Sequence, residues 1–272
     1  MKRAFVIGHP VAHSRSPVIH NYWLKALGIA GSYEAIDVTP AGLADFIAAI
    51  PGKYAGGNVT VPHKEAVFAL CAEVDPLAEA IGAVNTLVAG PQGLRGLNSD
   101  YLGFLGNLDQ NAPGWDSGLD EVIVLGAGGV ARAVLVALKS RTVGRIHLLN
   151  RTASKAADLA LELGGPIRAG SLGDFPKLAP SARLVVNCST VGMHGSGFDS
   201  LDLDLLPKGA VVNDLVYVPL ETPLLAAARA RGLKTVDGLG MLLHQAVPGF
   251  EAWFGVTPEV TPELRKLVEA TL

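Results

Sequence analysis

Residues 121–152 read EVIVLGAGGVARAVLVALKSRTVGRIHLLNRT, and this stretch decides the fold. Its first five residues predict a fully buried strand, glycines follow at once, and residues 131–140 have the pattern of a helix. A second strand is predicted over residues 145–149. Strand, glycine-rich turn, helix and second strand form one βαβ unit, so the stretch predicts an α/β protein with a parallel sheet.

The chain on either side of this unit continues the alternation. The predicted strands are 4–7, 32–37, 57–61, 83–88, 184–187, 210–214 and 235–237, and the predicted helices are 17–27, 41–50, 223–231 and one that starts at His63. Such alternation is typical of mainly parallel sheets that helices cover on both faces.

A turn-rich segment, QNAPGWDSGLD at residues 110–120, disfavours regular structure and marks the approach to a second domain. We therefore predict two α/β domains: residues 1–100 together with a returning segment, 239–272, and a Rossmann-like domain over residues 101–238. A ligand cleft is expected between them, because ligand sites favour domain interfaces and the carboxyl ends of parallel strands.

Composition excludes several classes of function. The 272 residues are 49% hydrophobic and 17% charged with a net charge of -3, which leaves no broad cationic surface for nucleic acid. Cys71 and Cys188 lack metal-binding or thiol-exchange spacings and are typical of a reducing cytoplasm. Since Arg132 interrupts the longest apolar run, no membrane span is expected. Composition leaves a monomer and a homodimer equally open.

The glycine-rich turn has the pattern G-x-G-x-x-A, formed by Gly126, Ala127, Gly128, Gly129, Val130 and Ala131. The first glycine permits a tight turn, the second admits a pyrophosphate, and the alanine lets helix and strand pack closely. The helix N-terminus offers unpaired N–H groups to phosphates. Because the pattern stands between a strand and a helix, it predicts a dinucleotide site.

The second strand of the unit ends in Asn150, Arg151 and Thr152, where an NAD enzyme would place an acid for the ribose 2'-hydroxyl. Without that acid nothing repels a 2'-phosphate. Arg151 can bind it through a fork of donors, Thr152 through a hydroxyl and Lys155 through a point charge. This pattern predicts NADP, although a solvated Arg and a helix-capping Thr would give the same residues.

Polar residues also cluster near the predicted strand ends of the first hundred residues. Ser14 and Ser16 are two hydroxyls in one loop that can bind a carboxylate, but Ser16 followed by Pro17 is also an ordinary helix start. Lys64 falls at a predicted helix start, where the helix dipole disfavours a cation. The segments 83–86 (AVNT) and 98–100 (NSD) are individually ordinary turn chemistry.

Taken together and in order, these motifs resemble the NADP-dependent shikimate dehydrogenase family. The resemblance rests on HSRSP (13–17), NVTVPHK (58–64), AVNT (83–86), NSD (98–100), GAGGVARA (126–133), NRT (150–152), NCSTVGM (187–193), DLVYVPLETPLL (214–225) and DGLGMLLHQA (237–246). It implies a cytoplasmic enzyme of aromatic amino acid biosynthesis, in the chorismate pathway, that reversibly reduces 3-dehydroshikimate to shikimate with NADPH.

The resemblance also implies roles for single residues. Lys64 and Asp100 would form the catalytic pair, in which Lys64 is the proposed proton donor and the sequence does not decide which of the two is the primary acid-base. Ser14 and Ser16 would hold the substrate carboxylate. The implied substrate groups are Thr60, Asn85, Asp100, Tyr217 and Gln245, and the groups implied at the nicotinamide end are Asn187, Ser189, Thr190, Gly238 and Met241. No metal is implied.

Simpler roles remain open for three of these residues, and one position departs from the family. Alone, Met241 is a core residue, Gln245 a helix-surface amide and Tyr217 a packing aromatic. Family members often have Gly after the catalytic Asp, whereas this chain has Tyr101, which could crowd the pocket or face outward. The alternative functions are a quinate or aminoshikimate dehydrogenase of the same superfamily and a non-catalytic NADP-binding regulator.

Overall fold

The computed structural model of the protein describes residues 1–141, 143–198 and 200–272. The strands are β1 Lys2–Gly8, β2 Gly31–Asp37, β3 Gly56–Val59, β4 Glu73–Val74, β5 Thr86–Gly90, β6 Gly93–Leu97, β7 Glu121–Leu125, β8 Arg145–Asn150, β9 Ile167–Ser171, β10 Leu184–Asn187, β11 Val191–His194, β12 Val211–Asp214 and β13 Lys234–Val236. The α-helices are α1 Ser16–Ala26, α2 Leu43–Ala48, α3 Pro76–Ile81, α4 Asp100–Asn111, α5 Gly129–Ser140, α6 Ala153–Leu163, α7 Phe175–Leu178, α8 Pro223–Ala230, α9 Leu239–His244, α10 Ala246–Phe254 and α11 Pro262–Glu269.

The chain divides into two compact units. Unit 1 comprises Met1–Asp100 and Leu243–Leu272, and unit 2 comprises Tyr101–Leu242. The sequence places the second boundary after residue 238, at the start of α9, whereas the division of the structure falls inside that helix. Within the described ranges, no helix is both long and apolar enough to span a membrane.

Unit 2 contains a six-stranded parallel sheet in the order β13-β12-β10-β7-β8-β9. Successive residues of a strand point to opposite faces, and both faces of β7 are apolar. Val122 and Val124 pack into one buried cluster, while Ile123 and Leu125 pack into another. The predicted fold class, two α/β domains of which one is Rossmann-like, is confirmed.

Unit 1 contains a mixed sheet in the order β2-β1-β3-β5-β6-β4. Strands β2, β1 and β3 are parallel, whereas β5 runs antiparallel to both β3 and β6. Only two residues, Pro91 and Gln92, connect β5 to β6, and such a short connection requires an antiparallel pair. The sequence prediction included neither β6 nor this hairpin.

The α-helix predicted to start at His63 is absent from the described chain, which has a 3-10 helix at Ala66–Leu70 instead. The Lys64 carbonyl accepts the N–H of Val84 at 2.9 Å, while the N–H of Phe68, four residues on, donates to the Glu65 carbonyl at 3.2 Å instead. That prediction was wrong, so the helix-dipole argument for Lys64 does not apply. Lys64 lies in the turn that follows β3, fixed there by its bond to the segment before β5.

Candidate active site

The polar segments of unit 1 meet at one edge of its sheet. Strands β1 and β3 are parallel, so both end at this edge; antiparallel β5 begins there, and β6 ends there. Next to these strand ends lie the loop after Gly8, Thr60, Asn85 and the start of α4. The topology therefore gathers four motifs that are far apart in sequence.

Lys64 and Asp100 form an ion pair at this edge. The Lys64 Nζ donates to Asp100 Oδ2 at 2.7 Å, with 31% of the Lys64 side chain and 14% of the Asp100 side chain exposed. Asp100 begins α4, and its N–H donates to Asn98 Oδ1 at 2.9 Å. A carboxylate is favourable in the first turn of a helix. An ammonium and a carboxylate in contact, both reachable from solvent, are suited to acid-base chemistry.

Asn85 completes this group. Its Nδ2 donates to Asp100 Oδ1 at 2.8 Å, so each oxygen of Asp100 accepts a hydrogen bond from a different side chain. Asn85 is buried, and its N–H donates to the Leu97 carbonyl at 3.0 Å. The structure thus brings together three of the residues predicted from sequence, Lys64, Asn85 and Asp100.

Ser14 and Ser16 share the turn before α1. The Ser14 Oγ accepts the N–H of Ser16 at 3.3 Å, and Ser16 is 6% exposed as the first residue of α1. Arg15 holds the N-cap position, so Ser16 is not the N-cap that the alternative interpretation required.

The remaining predicted substrate residues of unit 1 also lie near this edge. Thr60 directly follows β3 and donates its N–H to the Ile7 carbonyl at 2.8 Å. The Gln245 Oε1 lies 3.5 Å from Ser99 Oγ, and Gln245 is 9% exposed, which excludes the alternative of a solvated surface amide.

In unit 2 the glycine-rich turn follows β7 beside the loop that follows β10. Gly126 has a φ of +98°, which L side chains rarely adopt, and a Cβ there would lie 2.9 Å from Ser189 Cβ. β7 neighbours β8 on one side and β10 on the other, so the turn lies where the sheet order reverses. This switch point is where doubly wound sheets bind ligands.

The next two glycines fit a dinucleotide. Among the described atoms none lies within 4 Å of a Cβ built on Gly128 or Gly129, and neither has a left-handed φ. Protein packing therefore does not require glycine at these positions, whereas close approach of a pyrophosphate does. Gly128 is the N-cap of the twelve-residue α5, whose first N–H groups point toward the same space.

The segment after β8 presents the predicted phosphate groups. Arg151, Thr152 and Lys155 are all exposed, and neither cation has an ion-pair partner within the described ranges. Thr152 is the N-cap residue of α6, but no capping bond of its side chain is found in the part of the chain described. Asn150 connects this segment to the turn: its Oδ1 accepts the N–H of Ala127 at 3.3 Å, and its Nδ2 donates to the Thr152 carbonyl at 2.9 Å.

Asn187 and Asp214 order the loop after β10. The Asn187 Oδ1 accepts the N–H and Oγ–H of Ser189 at 3.0 and 2.7 Å, and its Nδ2 donates to Asp214 Oδ1 at 2.8 Å. Burial raises the pKa of Asp214, while bonds from Thr222, Val216 N–H and Asn187 oppose that rise. Asp214 and Thr222 were not singled out from the sequence, although an acid at the end of an apolar strand was a signal for Asp214.

The other residues of unit 2 for which the family resemblance implies a role differ in their surroundings. Thr190 is exposed and Tyr217 half-buried. A Cβ on Gly238 would lie 2.2 Å from the Leu215 carbonyl oxygen, so packing alone requires that glycine. Met241 belongs to a buried cluster of unit 2, and Tyr101, which departs from the family pattern, packs against the same cluster.

Two of the histidines, His20 and His63, occupy buried structural positions. His20 is fully buried and stacks on Tyr33 with ring centroids 4.1 Å apart, and burial lowers its pKa to about 3, which keeps it neutral. His63 bonds the Val38 carbonyl. In the described parts of the chain, no group of three or more His, Cys, Asp or Glu side chains could hold a metal ion.

A Rossmann-like unit with an open glycine turn and a second unit with a lysine-aspartate pair define a dinucleotide-dependent oxidoreductase. Family models match three segments: the shikimate dehydrogenase substrate binding domain at residues 6–87, shikimate / quinate 5-dehydrogenase at 113–194 and the shikimate 5'-dehydrogenase C-terminal domain at 238–266. A shikimate dehydrogenase (NADP(+)) from Mesorhizobium japonicum is 56% identical over 272 residues, which cover 100% of this chain and 97% of the relative.

Solved structures agree with this likeness. Shikimate 5-dehydrogenase from Thermus thermophilus, solved in complex with NADP(H) and shikimate, has a TM-score of 0.86 and 38% identity, with 100% of both chains covered. Quinate dehydrogenase from Corynebacterium glutamicum, solved in complex with NAD, has a TM-score of 0.89 and 33% identity, with 99% of both chains covered. The chain belongs to the shikimate dehydrogenase family.

Proposed function

We infer that this protein reversibly reduces 3-dehydroshikimate to shikimate with NADPH, and that Lys64 and Asp100 carry the proton transfer. The observation that supports these roles best is the 2.7 Å bond between Lys64 Nζ and Asp100 Oδ2 at a site that solvent partly reaches. NADPH supplies the hydride when it is bound. Lys64, as an ammonium, donates a proton to the oxygen that becomes the hydroxyl, and as a neutral amine it accepts that proton in the reverse direction.

Asp100 orients Lys64 and supports its charge. Because Asn85 occupies Oδ1 and Lys64 occupies Oδ2, the carboxylate is held in a single orientation. Thr60, Asn85, Asp100 and Gln245 are the groups we assign to the ring hydroxyls of the substrate, with Tyr217 proposed to help close the substrate pocket. Holding reactants in one geometry is itself a large part of catalysis.

Ser14 and Ser16 are proposed to bind the substrate carboxylate, because their hydroxyls share one turn at the sheet edge that carries Lys64. We expect Ser14→Ala to raise the KM for shikimate about tenfold, the effect of losing one hydrogen bond to a charged group, with kcat little changed. Steady-state kinetics measure it. A wild-type enzyme that used the methyl ester of shikimate as well as shikimate itself would exclude a carboxylate site here.

Arg151, Thr152 and Lys155 are proposed to hold the 2'-phosphate of NADP, because they are exposed and no carboxylate pairs with either cation among the described residues. Arg151→Ala should weaken NADP binding about tenfold or more and leave NAD almost unaffected, because only NADP carries that phosphate. Titration of both cofactors measures it, with Arg183→Ala as control, since Arg183 precedes β10 at the opposite edge of the sheet. Equal losses for NADP and NAD would refute the assignment.

The activity is tested by four steady-state rates, the reduction of NADP and of NAD with shikimate and with quinate. The likeness to a quinate dehydrogenase solved with NAD makes quinate with NAD the specific alternative. We expect NADP with shikimate to be fastest. Quinate with NAD as the fastest pair would assign the alternative activity, and no turnover with any pair would assign a non-catalytic NADP-binding protein.

We also propose a cytoplasmic location, which the two free cysteines support. The partner we assign is the small-molecule substrate, and we propose no nucleic-acid partner. A monomer and a homodimer both remain compatible with this function.

A further inference from the structure

The amide of Asn85 has only one allowed orientation. Its Oδ1 lies 2.8 Å from the backbone N–H of Ser99, which can only donate, so the atom that faces it must be the oxygen. The Thr86 and Ser99 hydroxyls lie near the same oxygen, at 2.9 and 3.2 Å. The Asn85 Nδ2 is therefore directed at Asp100 Oδ1, 2.8 Å away.

A second amide, that of Asn58, fixes the direction of the Thr86 hydroxyl. The Asn58 Nδ2 lies 3.3 Å from the Asn85 backbone carbonyl, which can only accept, and 3.2 Å from Thr86 Oγ1. Its Oδ1 accepts the Tyr33 hydroxyl at 2.6 Å. Burial raises the pKa of the Tyr33 phenol, which keeps that donor protonated. Because Thr86 accepts from Asn58, its single proton is free to donate, and Asn85 Oδ1 at 2.9 Å is a nearer acceptor than Ser99 Oγ at 3.3 Å.

The Ser99 N–H and the Asn85 backbone carbonyl thus fix the direction of every hydrogen bond in this series. Each donor points toward the carboxylate: Tyr33 to Asn58, Asn58 to Thr86, Thr86 to Asn85 and Asn85 to Asp100. The first four side chains are 3%, 5%, 0% and 2% exposed, so water competes little for these bonds. The bond from Asn85 thus keeps Asp100 Oδ1 as an acceptor and leaves Oδ2 directed at Lys64.

We propose that Thr86 is a positioning residue for catalysis, and that Tyr33 and Asn58 act through it. This inference rests on the proposed roles of Lys64 and Asp100. Thr86 is 0% exposed and cannot touch substrate, so its effect must pass through Asn85. Without the Thr86 hydroxyl, the Asn85 oxygen keeps only its two donors from Ser99, so the Asn85 amide holds Asp100 less rigidly toward Lys64.

The test is Thr86→Val, which replaces the hydroxyl by a methyl group of the same shape. We expect kcat for shikimate oxidation to fall about tenfold, the order expected for one buried hydrogen bond, and Thr86→Ser to restore it. In an Asp100→Asn background, Thr86→Val should lower kcat less than about twofold, because residues in one network are not additive. An equal fractional loss in both backgrounds would assign Thr86 a purely structural role.

A matched control separates stability from positioning. Thr261→Val removes the hydroxyl that caps α11 in the same unit, so it should lower the unfolding temperature and leave kcat unchanged. If Thr86→Val does not fold, Tyr33→Phe replaces it; this variant keeps the ring that stacks on His20 and removes only the first donor. An unchanged kcat in a folded variant would overturn the proposal.

A readout without turnover distinguishes this inference from the proposed function. The side-chain amide protons of Asn85 should give resolved, slowly exchanging NMR signals in the wild type and in Thr86→Ser, and fast exchange in Thr86→Val. Fast exchange already present in the wild type would refute the fixed amide even in an active enzyme. Slow exchange in an enzyme that does not oxidise shikimate would refute the function and leave the orientation intact.

Discussion

Lys64→Ala should lower kcat for shikimate by about 10²- to 10⁴-fold, the usual contribution of a general acid-base group, while the KM for shikimate stays within a few-fold. The reason is the position of Lys64 Nζ, 2.7 Å from Asp100 Oδ2 at the sheet edge where the motifs proposed to bind substrate meet. Steady-state kinetics measure both constants. A deuteride isotope effect on the same variant shows whether the chemical step is rate-limiting.

Lys53→Ala is the matched control, because Lys53 is an exposed lysine of the same unit in the turn before β3. It should change neither constant. If Lys64→Ala raised KM alone while chemistry remained rate-limiting, Lys64 would be a binding residue and the proton donor would lie elsewhere.

The sequence was sufficient to predict the elements that a local pattern specifies. The run from Glu121 to Leu125, the glycines after it and the helix that follows have periodicity and turn chemistry that no tertiary contact overrides. Arg151 and Thr152 could be placed for the same reason, since they are two residues that follow a predicted strand. Bringing Lys64 to Asp100, 36 positions along the chain, depended on the resemblance to the family rather than on any local pattern.

What the sequence did not predict depends on contacts between distant segments. The sequence of the turn after β3 predicts a helix start, whereas in the structure the Lys64 carbonyl accepts the N–H of Val84, a residue 20 positions away. Thr86 and Ser99 are ordinary strand and turn residues in sequence, and their importance appears only when both lie beside the Asn85 amide. The hairpin of β5 and β6 is an exception, because its strands are adjacent in sequence; it was missed because the connecting Pro91 and Gln92 lack the Asn-Gly or Asp-Gly signal of a two-residue turn.

Asp100→Asn is the variant with the next largest expected effect. An asparagine has one acceptor oxygen, whereas Asp100 accepts from both Asn85 Nδ2 and Lys64 Nζ, so the substitution leaves one of these donors facing an NH₂ group. A hydrogen bond to a charged group contributes about 1.5 to 3 kcal/mol, so kcat should fall by about 10- to 100-fold. Asp45→Asn, an exposed acid of α2 in the same unit, should have no effect.

The double variant of Lys64→Ala and Asp100→Asn decides whether the two residues act as a unit. If Asp100 works by orienting Lys64, little remains for it to do once Lys64 is absent, and kcat of the double variant should lie close to that of Lys64→Ala. Single-turnover rates of the two single variants, the double variant and the wild type measure this coupling. A double variant whose loss equals the product of the two single losses would show that Asp100 acts on the substrate independently of Lys64.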